Sequence, residues 1–186
     1  MPNMPQLDPK TASGATKEAF DEATRQFGGV INLFRVAGNA PNVLKGFLAL
    51  NSNINDGIEL TGKQVEQVAM LVSALNSCDY CVNVHMKVGT MQGATEAEML
   101  DAMEGQAADP ATQALLDYTS EVVRHRGQVS PETLARAREA GFSDKALLET
   151  VGVIGLYTLI QYVRHVADPD HDFPAVTQFN SARLAA

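Results

Sequence analysis

The sequence predicts an all-α protein. Three observations carry this prediction: helix-start signals recur along the chain, alternating polar and apolar runs typical of strands are hard to find, and glycines follow several helical stretches. The 186 residues suffice for one compact domain with a substantial core. We therefore expect a single helical domain over residues 16–186, with two helical halves divided near residue 105 as the alternative.

Residues that cap helix N-termini recur through the sequence. Two pairs have the spacing of a capping box and two further residues stand just before a proline: Thr61 with Gln64, Thr95 with Glu98, Asp109 and Ser130. Gly89 and Gly141 are expected to mark helix ends. The predicted helices cover residues 14–26, 30–37, 41–51, 62–75, 78–89, 96–104, 110–126, 131–140 and 144–167.

The first fifteen residues read as a mobile N-terminal tail. They contain Pro2, Pro5 and Pro9 and lack the apolar run of a signal peptide or a membrane anchor. We therefore expect a cytoplasmic protein in a reducing compartment. Paired thiols in such a compartment are more often catalytic or metal-binding than structural.

Charge and hydropathy exclude some partners. A formal net charge of -8 opposes binding to nucleic acid or to anionic lipid. The most apolar stretch, residues 151–160, is too short to span a bilayer by itself and is expected to be a buried helix. We therefore expect neither nucleic acid nor a membrane as a partner.

Two cysteines and a histidine form the most informative cluster. At the start of a helix, Cys78 and Cys81 are three residues apart and His85 follows four residues later, so the three side chains share one face. Ser77 is the expected N-cap, which would leave Cys78 in the first turn, where the helix dipole stabilises a thiolate. His85 is suited to accept the proton of Cys81.

Glu66 is the candidate partner of that histidine. It is almost the only charge of the apolar helix 62–75, and a tight connection would bring this helix back beside His85. Periodicity alone leaves two interpretations open, an outward-pointing charge at the helix edge or a buried carboxylate. A carboxylate beside the imidazole would orient it and strengthen it as a base.

Other interpretations of the cysteines are disfavoured. A c-type haem site needs a histidine directly after the second cysteine, where this chain has Val82. Zinc needs four ligands and no second cysteine pair exists. A thioredoxin-type motif would need flanking strands. Two buried cysteines that pack as small apolar residues beside an incidental histidine remain an alternative.

The spacing of Glu66, Cys78, Cys81 and His85 resembles that of the carboxymuconolactone decarboxylase superfamily, in its alkylhydroperoxidase D-like, peroxidase-related branch. The segments 27–34, 40–41 and 172–174 are also similar, so the resemblance covers roughly residues 20 to 175. It implies an alkylhydroperoxidase D-like helical bundle. It also implies a homo-oligomer, commonly a trimer or a hexamer.

The resemblance implies a role for each residue. Cys81 would attack peroxide, Cys78 would resolve the sulfenate as a disulfide, and His85 with Glu66 would relay the proton. The substrate would be a peroxide or a small disulfide, and an unidentified thiol reductant would restore the dithiol, with neither metal nor cofactor. Tyr80 stands where alkylhydroperoxidase D has a histidine, so the lipoamide-linked partner of that enzyme is not carried over.

Two further functions remain as alternatives. A redox-responsive binding or assembly protein would use the cysteine pair as a sensor without useful turnover. A non-redox lyase or isomerase would use His85 and Glu66 alone, and its activity would survive loss of both thiols.

The remaining histidines read mainly as structural. His165 lies near a helix C-terminus, where it either serves the dipole or lines the site. His125 reads as a solvated helix end, and the acidic residues and His171 within 168–172 read as the loop that ends the last helix rather than as a metal site.

Overall fold

A computed structural model describes residues 2–180 of the chain. This part contains nine α-helices and no strand, which confirms the all-α prediction. The helices are Gly14–Phe27 (α1), Asn32–Ala37 (α2), Pro41–Asn55 (α3), Gly62–Leu75 (α4), Asp79–Met91 (α5), Glu96–Met103 (α6), Pro110–Arg124 (α7), Pro131–Glu139 (α8) and Asp144–Ala167 (α9).

The predicted capping residues begin their helices. Thr61 and Gln64 form a reciprocal capping box at α4, and Thr95 forms another with Glu98 at α6. The Asp109 carboxylate caps α7 by accepting a hydrogen bond from the Thr112 amide, and the Ser130 hydroxyl caps α8 by accepting one from the Thr133 amide. Both helices begin with a proline. These signals are local, so the sequence suffices to predict them.

Gly89 does not end a helix, contrary to our prediction. It lies inside α5, which continues to Met91. A Cβ atom at Gly89 would stand 2.5 Å from Sδ and Cε of Met99 in α6. The glycine is there because two helices approach closely.

The chain divides into two compact units. The first comprises Met1–Asp56 with Leu159–Asp172, and the second comprises Gly57–Thr158 with Phe173–Ala186. The division after residue 56 differs from the alternative of two halves that meet near residue 105. Helix α9 contributes residues to both units, because the division falls after residue 158.

In the first unit, α1, α2 and α3 pack against one another. The segment before α1, expected to be a mobile tail, makes hydrogen bonds within this unit. The Leu7 amide donates to the Arg35 carbonyl at 3.3 Å, the Arg35 guanidinium donates back to the Leu7 carbonyl at 2.9 Å, and the Asn3 amide donates to the Ala167 carbonyl at 2.9 Å. The mobility of the tail stays a prediction.

In the second unit, α4 is the central helix. It packs against α5, α6 and α7, and α8 packs against α7. Every residue from 65 to 74 is buried, as the apolar character of this helix predicted. Apolar side chains of α4 to α7 and of the connection before α6 form a buried cluster: Met70, Leu71, Ala74, Val82, Ala94, Met99, Ala102, Met103 and Leu116. This packing fixes the orientation of α4 and α5, which carry the site.

Helix α9 has 24 residues and passes a test for membrane-spanning helices on length and composition alone. The apolar stretch 151–160, which is too short to span a bilayer by itself, is only part of this helix. In the most apolar 18-residue window of α9, 44% of the residues are buried within the molecule. Core helices of soluble proteins pass the same test, so this is weak evidence for a membrane span.

Candidate redox-active site

Glu66 is buried in α4, with 7% of its surface exposed. Of the two interpretations that periodicity left open, the structure has the buried carboxylate. A buried charge is costly unless a partner compensates it, so its neighbours decide what it does.

The turn that joins α4 to α5 positions the first cysteine. The Cys78 amide donates to the Ser73 carbonyl at 2.8 Å, and the Ser77 amide donates to the Ala74 carbonyl at 2.9 Å. With Ser77 in the left-handed region at φ 57°, these are the two hydrogen bonds of a Schellman motif. Ser77 therefore ends α4 and does not cap α5, so our prediction for the cap was wrong.

Cys78 itself is the N-cap of α5. Its sulfur accepts a hydrogen bond from the Cys81 amide at 3.3 Å. An amide directed at sulfur from a helix N-terminus favours the thiolate over the thiol. The site thus has a thiolate-stabilising position at Cys78, by a different route from the one expected.

The two cysteines form an intrachain disulfide. Their Cα atoms are 5.3 Å apart, close to the separation that three residues span in an α-helix. Cys78 is fully buried and Cys81 has 3% of its surface exposed. Any reagent that reaches the sulfurs must therefore be small, or the surrounding structure must open.

Glu66 and His85 form a buried pair. The Oε2 atom of Glu66 lies 2.8 Å from the Nδ1 atom of His85, and the two side chains are 9% and 8% exposed. Helix α5 places His85 one turn beyond Cys81. Because Nδ1 is engaged by the carboxylate, Nε2 is the ring nitrogen left for proton transfer. The four predicted residues thus share two adjacent helices; their roles stay predictions.

Tyr157 is a neighbour of His85 that no sequence motif indicates. This residue of α9 packs against the imidazole of His85 with ring centroids 4.6 Å apart and an interplanar angle of 83°. Burial, and secondarily the negative charge of Glu66, raises the pKa of the Tyr157 phenol well above its usual value of 10.0. Tyr157 is therefore a neutral phenol in contact with the candidate relay.

The other three histidines are exposed. His165 is exposed in the last turn of α9, and His125 is the exposed C-cap residue of α7. In the loop after α9, the Asp172 carboxylate accepts a hydrogen bond from the Asn32 amide at 3.0 Å. Among residues 2–180, no group of three or more His, Cys, Asp and Glu side chains is arranged to hold a metal ion.

One family model matches the part of the chain that holds the site. The model of the carboxymuconolactone decarboxylase family matches residues 41–125, which include Glu66, both cysteines and His85. This segment is therefore similar to that family, as the motif predicted. No curated protein matches the chain in sequence.

Solved structures with similar folds include proteins described as peroxidase-related and a debrominase. An alkylhydroperoxidase AhpD core protein from Ralstonia eutropha JMP134, described as peroxidase-related, aligns with a TM-score of 0.80 and 18% identity over 96% of this chain and 94% of its own. A peroxidase-related protein from Silicibacter sp. TM1040 aligns at 0.75 and 17% over 95% and 92%. The debrominase Bmp8, crystallised with 2,3,4-tribromopyrrole, aligns at 0.71 and 17% over 84% of each chain. These likenesses show that the fold is alkylhydroperoxidase D-like.

Proposed function

We propose that this protein is a thiol-dependent oxidoreductase that reduces peroxides, or small disulfides, through a Cys78–Cys81 dithiol and disulfide cycle. The observation that carries the proposal is the joint placement of that disulfide at the start of α5 and of the Glu66–His85 pair one turn further along. A reactive thiol needs a stabilised thiolate and a base within reach. The amide at the Cys78 sulfur and the Glu66–His85 pair one turn beyond Cys81 support the proposal on these two points.

The first step is nucleophilic attack on the peroxide. His85 takes the proton of Cys81, and the thiolate attacks one peroxide oxygen. A sulfur–oxygen bond forms as the oxygen–oxygen bond breaks, so the sulfur is oxidised to a sulfenic acid and the peroxide is reduced. The imidazolium returns the proton to the departing alkoxide or hydroxide, which leaves as an alcohol or water.

The second step closes the disulfide. The Cys78 thiolate, which the Cys81 amide stabilises, attacks the sulfenic sulfur, and the oxygen leaves as water once protonated. A thiol reductant then supplies two electrons and two protons through a mixed disulfide and restores the dithiol. The Cα separation of 5.3 Å lets the sulfurs meet without movement of the two helices.

The burial of both sulfurs favours a small substrate. Hydrogen peroxide and short organic hydroperoxides fit a site whose two cysteines are 0% and 3% exposed better than the disulfide of a folded protein does. A cytoplasmic location follows from the same chemistry, because a reducing compartment keeps the dithiol ready for the next cycle.

A homo-oligomer, a trimer or a hexamer, is proposed on the family resemblance. One feature of the chain supports it. Helix α9 has five large apolar side chains that are 40% to 71% exposed, and a second copy of the chain would cover them: Leu148, Val151, Leu159, Tyr162 and Val166.

The test is stoichiometric peroxide consumption by pre-reduced protein. We expect one equivalent of hydrogen peroxide to be consumed while two free thiols fall to none and the monomer mass gains no intermolecular link. Cys78→Ser should consume one equivalent and stop at a sulfenic acid on Cys81, which dimedone traps. Cys81→Ser should consume almost none.

Three outcomes would contradict the proposal. Two thiols that stay free under excess peroxide would remove the catalytic pair. A disulfide that forms far more slowly than a simple dithiol oxidises would favour the redox-responsive binding protein. Turnover of a small carboxylic acid by a variant without either cysteine would favour the lyase.

A further inference from the structure

His85 is held from two sides by residues outside its own helix. Glu66 of α4 engages Nδ1 at 2.8 Å, and the ring of Tyr157 in α9 meets the imidazole nearly at right angles, with centroids 4.6 Å apart. An aromatic pair in this edge-to-face geometry is attractive beyond the effect of the area it buries. An imidazole fixed by a carboxylate and by a ring has little freedom to turn.

The Tyr157 ring also affects the electrostatics of the pair. The ionisable groups brought to the imidazole are Glu66 from α4, Tyr157 from α9 and the cysteine pair on α5. Tyr157 stays neutral, because burial raises its pKa well above 10.0 and the Glu66 charge adds to the shift. A neutral ring beside the pair excludes water and so strengthens the attraction between carboxylate and imidazolium.

We propose that Tyr157 is a positioning residue of the redox site, whose ring holds the His85 imidazole against Glu66 and shields the pair from water, so that His85 serves Cys81. This inference rests on the proposed function. The observed contact is made by the ring, so we expect the ring rather than the hydroxyl to be required. The alternative is that Tyr157 only fills space in the core.

The experiment compares three substitutions. Tyr157→Phe keeps the ring, whereas Tyr157→Leu and Tyr157→Met replace it by apolar side chains without one; the Met variant serves if the Leu variant fails to fold. The readouts are the pH dependence of Cys81 alkylation in the reduced protein, the NMR titration of the His85 imidazole, and the rate of peroxide reduction. Phe27→Leu, which removes an exposed aromatic ring of α1, is the matched control.

We expect the Phe and control variants to stay within twofold of the wild-type protein in every readout. The Leu or Met variant should shift the alkylation profile to higher pH, change the His85 titration, and slow peroxide reduction about tenfold, a part of what a positioned general base contributes. In a His85→Ala background the same substitution should change nothing further, because Tyr157 acts through the imidazole.

Two results would overturn the inference. A folded Leu or Met variant with an unchanged alkylation profile and His85 titration would leave Tyr157 as core packing. A Phe variant as impaired as the Leu variant would transfer the role to the hydroxyl. Alkylation and NMR involve no peroxide, so failure of the peroxidase activity alone would contradict the proposed function and leave this inference to be judged on those two readouts.

Discussion

At the scale of single residues, Cys78 is the point where two helices meet. Its amide completes the C-terminal turn of α4 through Ser73, while its sulfur caps α5 through the Cys81 amide. The turn requires Ser77 at φ 57°, which disfavours a residue with a side chain by roughly 1–2 kcal/mol. Backbone strain of this kind concentrates next to functional sites, where the surrounding structure over-determines it.

The buried Glu66–His85 pair predicts that the two residues act as one unit on Cys81. His85→Ala should raise the apparent pKa of the Cys81 thiol and slow peroxide reduction on the order of 10²-fold, and Glu66→Gln should slow it too. Because members of a relay are non-additive, the double variant should be little worse than the slower single one. Alkylation and peroxide consumption across pH in the four proteins measure this.

The control for this prediction is folding, because removal of one partner of a buried pair typically costs 3–5 kcal/mol. Each variant should first be shown to keep its far-ultraviolet circular dichroism. Multiplicative losses, or an unchanged thiol pKa in His85→Ala, would mean that the pair is only structural.

The residues of the site differ in how far the sequence could reveal them. The helical spacing of Cys81 and His85 was sufficient to predict that they lie one turn apart on the same helix, because one turn of a helix is local geometry. The prediction that Ser77 caps α5 was wrong, because Ser77 belongs to the turn that ends α4. Tyr157 could not be found, since a tyrosine in an apolar helix far along the chain gains its meaning only from tertiary packing.

At the scale of helices, the contact of α5 with α6 depends on Gly89. Alanine there gains roughly 1 kcal/mol of helix propensity but forces its Cβ to within 2.5 Å of the fully buried Met99. Overpacking of a core costs roughly 1–3 kcal/mol. We therefore expect Gly89→Ala to lower the free energy of unfolding by about 1 kcal/mol, measured by urea denaturation.

The matched control is Gly46→Ala in α3, where the added Cβ meets no atom within 4 Å. That substitution should raise the free energy of unfolding by about 0.5–1 kcal/mol. In a Met99→Ala background, Gly89→Ala should lose its penalty. A Gly89→Ala variant as stable as the Gly46→Ala variant would show that the contact of α5 with α6 can accommodate a Cβ atom, which would contradict the prediction.

The helix boundaries show the same division between local and tertiary causes. The capping boxes at Thr61 and Thr95 were predictable, because each involves neighbouring residues only. Gly89 was misread as a helix end because the reason for a glycine lay on another helix. From the sequence alone, a glycine can indicate either a left-handed backbone conformation or a close contact that leaves no room for a Cβ atom, and the sequence does not distinguish the two.

At the scale of the whole molecule, the exposed apolar side chains of α9 predict self-association. Light scattering of the purified protein should give three or six times the chain mass of 19.9 kDa. Leu148→Glu, at a side chain that is 71% exposed, should reduce that mass. Met91→Glu, at an apolar residue of α5 that is 73% exposed, is the matched control and should leave it unchanged.

A wild-type protein that stays monomeric at tens of micromolar would contradict this prediction. Equal dissociation of both variants would place the interface elsewhere than on α9. Recovery of the protein with lipid vesicles rather than as an oligomer would mean that a bilayer covers this helix.

The Cα separation of 5.3 Å between Cys78 and Cys81 affects how the proposed dithiol and disulfide cycle can be recognised by an electron donor. Because that separation is already near the helical one of about 5 Å, the dithiol and the disulfide differ by side-chain rotations, with little reorganisation of the backbone. We therefore expect little change of the backbone at the start of α5 during the proposed cycle. In that cycle, an electron donor distinguishes the disulfide form from the dithiol form only by reacting with the sulfur itself.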